Sequence, residues 1–110
     1  MLIEEIIKKY LDDELSVDAF LEVPDSIPTS FVVFHVIDRG KSDQINMATV
    51  EFMSYAETKY DAASLDEEIR ELMEEIDDHP DVACRFGGGN DTNDTTLKRY
   101  RYRCYFNFYF

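Results

Sequence analysis

Two histidines, His35 and His79, two cysteines, Cys84 and Cys104, three consecutive glycines at 87–89 and a basic cluster of Lys98, Arg99, Arg101 and Arg103 are the residues from which a chemical site has to be built. A metal centre needs its ligands at short, repeated spacings, and neither cysteine belongs to a CxxC pair or stands at metal-site spacing from a histidine. His35 falls inside FVVFHVI and reads as a half-buried strand histidine. His79 precedes Pro80 at the end of an acidic helical stretch, where an imidazole meets the last carbonyls. Cys84 and Cys104 lie within strand-like runs and read as buried, reduced thiols. The glycine run is followed by neither a Lys-Ser or Lys-Thr pair nor a helix, so it lacks the context of a phosphate cradle. Adjacent carboxylates are too common among 24 acidic residues for any pair to signal acid–base work. The sequence predicts no catalytic residue, no cofactor and no metal.

The basic cluster opens the C-terminal stretch KRYRYRCYFNFYF, in which arginine and aromatic residues interleave. That pattern suits a stacking platform for single-stranded nucleic acid. The rest of the chain opposes this reading: the formal net charge is −13, and residues 1–97 hold all 24 acids but only seven of the 11 bases. Polyanions are repelled by such a field, so neither specific nucleic-acid binding nor docking on an anionic membrane is expected. The N-terminal 15 residues lack the basic segment and cleavage site of a signal peptide, and no apolar run approaches a membrane span, which points to a cytoplasmic protein.

These residues have to be held by a single domain spanning 1–110, since the length and the 45% hydrophobic content suit one core. Leu2, Ile3, Ile6, Ile7, Tyr10 and Leu11 recur at helical spacing, predicting an amphipathic N-terminal helix. SVDAFLEV (16–23) reads as a turn and a short strand, and PDSIP as a loop bracketed by Pro24 and Pro28. FVVFHVI (31–37) and INMATVEFM (45–53) read as strands of an antiparallel hairpin, with DRGKSDQ as the polar turn between them. Ala48, Val50 and Phe52 share one face, and Thr49 and Glu51 the other. Ser54 and Glu57 fit a capping box opening a long helix from 55 to about 78, ended by Asp77, Asp78 and Pro80. VACRF (82–86) is a short strand, GGGNDTNDTT a flexible connection, and the last strand begins near Leu97. On that strand Tyr100, Tyr102, Cys104, Phe106, Phe108 and Phe110 alternate with Arg99, Arg101, Arg103, Tyr105, Asn107 and Tyr109. The first set is predicted to be core. The second either pairs with acids on neighbouring strands or meets another subunit. The predicted class is α+β, in the order α-β-β-β-α-β-β, with an antiparallel or mixed sheet of four to five strands packed against the long helix.

The order of these cues, particularly the proline-bounded entry IPTSFVVF at Pro28 and the strand-to-helix junction INMATVEFMSYAET, resembles the tail-terminator and tail-completion (head–tail joining) proteins of long-tailed bacteriophages. The likeness spans nearly the whole chain and carries no catalytic signature. It implies a ring, usually a hexamer, that caps the tail tube and joins it to the head. The chain's partners would then be copies of itself, the tail tube protein and the head–tail connector proteins. It would be a virion component assembled in the host cytoplasm. A ring needs two unlike patches. On this reading Arg99, Arg101, Arg103 and Tyr105 face acids of a neighbouring subunit, and the segment Gly87, Gly88, Gly89, Asn90, Asp91, Thr92, Asn93 and Asp94 reaches toward the tail tube or connector. The competing readings are a small acidic inhibitor or DNA mimic offering DEEIRELMEEIDD to a basic partner, a minor enzyme, and another neck component of the same particle.

Overall fold

The computed structural model describes residues 2–76, 82–94 and 97–110, with the side chains of Ser42 and of 91–94 left aside. The chain is α+β, in the order α1 (Ile3–Glu14), β1 (Ala19–Phe20), β2 (Phe31–Ser42), β3 (Ile45–Ala56), α2 (Lys59–Ile76), β4 (Ala83–Asp94) and β5 (Arg99–Tyr109). The five strands form one sheet in the order β1-β2-β3-β5-β4, parallel only between β1 and β2. The element order and the mixed sheet follow the sequence expectation.

The helical spacing of Ile3, Ile7 and Leu11 aims all three into the core, while Glu4 and Glu5 in the first turn complement the helix dipole. The end of α1 is tied to α2: Tyr10 donates to Glu75 at 3.2 Å, and the Ser16 amide and hydroxyl donate to the two Glu68 oxygens at 2.9 and 2.7 Å.

The β2–β3 hairpin is longer than the polar composition of DRGKSDQ suggested. Residues 38–42 are strand, and only Asp43 and Gln44 turn, with φ of 51° and 66°. Two left-handed residues make the tight connection whose twist matches paired strands, and Asp is among the side chains that tolerate it. The register shifts at Ile37, between Val36 and Asp38, which bends β2.

The predicted capping box does not form. Ser54, Tyr55 and Ala56 remain in β3, paired with Tyr102, Arg101 and Tyr100. Packing overrides the local signal, because the buried Tyr55 ring stacks on Phe31 at a centroid distance of 4.7 Å. Thr58 caps α2 instead, its hydroxyl accepting from the Asp61 amide at 3.1 Å. The predicted stop at Asp77, Asp78, His79 and Pro80 lies outside the described residues.

Residues 87–94 are also strand rather than a flexible connection. They continue β4 along β5, with a register shift at Gly87. The glycines admit this shape. Gly88 has φ of 143°, a conformation L side chains rarely adopt, and a Cβ on Gly89 would lie 2.6 Å from the Arg103 carbonyl and 2.5 Å from Arg70 Nη2.

Both helices lie on one face of the sheet. Ile3, Ile7, Leu11, Leu65, Ile69 and Met73 pack there against Val32, Phe34, Val50, Phe52, Phe106 and Phe108. On β5, Cys104, Phe106 and Phe108 are buried as predicted, but Tyr100 is exposed and Tyr102 half-buried, because β5 runs past the helices. The opposite face holds a smaller cluster, Phe31, Val33, Met53 and Tyr55, covered by Phe20, Ile27 and Leu97.

Candidate functional site

The arginine-bearing face of β5 is the surface opposite the helices. Antiparallel pairing places Arg103 beside Met53 and Asn90, Arg101 beside Tyr55 and Thr92, and Arg99 beside Asp94. Tyr105 lies between Glu51 and Gly88. The predicted interface residues and the backbone of the predicted contact segment 87–94 are therefore neighbours in the sheet.

The centre of that surface is the Glu51 carboxylate. Its residue is only 8% exposed, and it lies 3.3 Å from His35 Nε2 and 3.7 Å from Arg103 Nε. Arg103 also donates to the Tyr105 hydroxyl at 3.1 Å and to Asn90 Oδ1 at 3.3 Å. Farther along, Arg99 stands 3.7 Å from Glu57 and donates to the Pro28 carbonyl at 3.3 Å, leaving its side chain 16% exposed. Thr49 donates to Asn107 across the strands at 2.8 Å. Acids of the same chain, Glu57 and Glu51, thus stand beside Arg99 and Arg103. His35 is the half-buried strand histidine expected, and its partner is the acid directly opposite on β3. His79 lies outside the described residues.

A second polar cluster on the helix-covered face escaped the sequence reading. Asp66 sits on the buried stripe of α2, and its Oδ2 lies 2.9 Å from Arg70 Nε, one helical turn on. Its Oδ1 is buried with no hydrogen-bond partner among the described residues. Burial raises the Asp66 carboxyl above its ordinary value of 3.8, against the pull of Arg70 and of the adjacent Cys104 thiol. Cys104 is driven upward in turn, first by burial and then by the Asp66 charge, which makes its thiol a poor nucleophile. No disulfide joins Cys104 and Cys84. The signal that was available is a lone acid at a core position of α2, four residues before an arginine.

Arg70 reaches from α2 across to β4, with Cζ 4.7 Å above the Phe86 ring. A cleft of about 400 Å³ opens on one side of it, lined by Met73, Cys84, Phe86 and Phe106. A second, of about 430 Å³, opens on the other, lined by Asp66, Glu67, Gly89 and Tyr102. Among the described residues no three His, Cys, Asp or Glu side chains gather as a metal site, and no helix is long and apolar enough to cross a membrane. No protein-family model matches the chain, and no curated protein matches it.

Proposed function

We propose that this chain is a structural, non-catalytic subunit that assembles with copies of itself into a ring, hexameric by the likeness, in the manner of a phage tail terminator or head–tail joining protein. The single observation that carries this reading is the element order. The likeness rests on the α-β-β-β-α-β-β succession, which the structure has, while the junction at Ser54 stays in β3 and residues 87–94 are strand. The ring would cap a tail tube and meet head–tail connector proteins, with assembly in the host cytoplasm. Its acidity, −13 per subunit, would keep DNA from adhering to the ring.

Arg99 and Arg103 support the ring indirectly, by stiffening the sheet from which contacts are made. The test is the mass of the chain in solution over a range of concentrations, together with negative-stain micrographs. Closed rings of one size are expected. A monomer that binds a basic protein with an affinity collapsing in salt would replace this reading with that of the acidic inhibitor.

A further inference from the structure

The sheet has two unlike edges, and among the described residues both are open. At one end β4 pairs with β5 alone among the described residues, along its whole length from Ala83 to Asp94. At the other end β1 pairs only with Val32 and Val33, so β2 beyond them, residues 34–42, has β3 on one side and no described strand on the other. An open edge presents a row of amides and carbonyls that only water or another strand can satisfy. Within the sheet β2 and β4 run in opposite directions, as the succession of antiparallel pairings requires. Two copies set side by side in the same orientation therefore bring these edges together as an antiparallel pair.

The helical layer is complementary as well. α2 packs mainly over β3 and β5 and leaves β4 largely uncovered, which is why the 400 Å³ cleft lies there and the Phe86 ring is 53% exposed. At the opposite edge α1 is held over β2 by the Glu4–Arg39 ion pair and shows the exposed side chain of Leu2. Ile37, at the bulge of β2, is 49% exposed. Arg70, Arg85 and Glu74 line the cleft beside β4, and exposed Asp38, Arg39 and Glu5 mark the β2 and α1 side.

We propose that the open edge of β2, residues 34–42, from a second copy of this chain adds to β4, continuing the sheet from subunit to subunit, and that the second copy's α1 closes the cleft over Phe86. This identifies the joint of the ring proposed above and rests on that reading. The contact is head-to-tail: β4 meets β2, never another β4. Such a joint leaves one complementary edge at each end and closes only through a ring.

The test uses two full-length variants, Phe86→Lys on the β4 edge and Ile37→Lys on the β2 edge, with the mass of each measured alone and in a 1:1 mixture. Each alone is expected to remain a single subunit. The mixture is expected to form a one-to-one pair, because each variant keeps the edge that the other has lost. Dimers of Ile37→Lys alone would show β4 pairing with itself and overturn the proposal, as would full-size rings from either variant. Phe86 also touches Phe106 and Arg70, so amide exchange on the unaltered chain supplies a readout free of folding defects. Slowing at 34–42 and 83–94 on assembly supports the joint, and unchanged exchange there contradicts it. Rings of the unaltered chain that survive both variants would remove this joint and leave the ring, whereas a strictly monomeric unaltered chain would remove both.

Discussion

The Arg103–Glu51–His35 group couples three neighbouring strands through one nearly buried carboxylate. Truncating Arg103 takes one charged neighbour from that carboxylate, and an under-satisfied buried acceptor costs about 1–3 kcal/mol. Arg103→Ala is therefore expected to lower the urea midpoint of the isolated subunit. An arginine acting solely between subunits would leave that midpoint unchanged and alter only the assembled mass. Asp66 carries a prediction of opposite sign. Its folded carboxyl holds a proton more tightly than the unfolded one, because burial outweighs Arg70 and Cys104, with Glu67 adding to the rise. The stabilisation linked to that proton is complete below the ordinary value of 3.8 and is lost as pH climbs through the raised folded value. Asp66→Asn has no charge to bury, so its stability relative to the parent should improve between pH 4 and pH 7, as urea unfolding of both at each pH would show. A relative loss over that range would mean that the Arg70 pair outweighs the burial penalty.

At the scale of elements, the residues that decided boundaries were those whose partners lie far along the chain. The apolar run at 31–37 was legible because it is β-branched and aromatic almost throughout, and the stripe Ala62, Leu65, Ile69, Leu72, Met73 and Ile76 because it recurs at a regular period. The alternation of β5 was legible for the same reason, and it placed Cys104, Phe106 and Phe108 in the core. The start of α2 was not. Ser54 and Glu57 imitate a capping box, and only the stacking of Tyr55 on Phe31, a contact between residues 24 apart, keeps that segment extended. Nor was the strand character of GGGNDTND legible, since its pairing is supplied by β5 rather than by its own composition. Asp66 hid among acids that solvate the rest of α2, and its role needed the position of the sheet beneath it. The helix start can be checked directly. Thr58→Ala should cost about 1 kcal/mol for a lost cap, while Ser54→Ala should cost little, because the buried Ser54 hydroxyl has no hydrogen-bond partner among the described residues. Thermal unfolding of the two variants in parallel would separate the caps, and the reverse ranking would restore the capping box.

At the scale of the whole molecule, one face of the sheet is covered by helices, the other carries a polar network and a small aromatic cluster, and among the described residues the strand edges left without a partner strand lie at the two ends. On the reading proposed above, those edges are what the subunit offers a sibling. A charge of −13 per subunit opposes non-specific self-association and polyanion binding, so the proposed ring depends on directional contacts such as strand pairing. Assembly should accordingly persist, or strengthen, as salt screens the repulsion between acidic subunits. Native mass spectrometry of the unaltered chain, over rising protein concentration and at two ionic strengths, addresses self-assembly most directly. One closed species of fixed subunit number, retained at the higher salt, is the predicted result. A mass of 12.9 kDa at every concentration would contradict the ring.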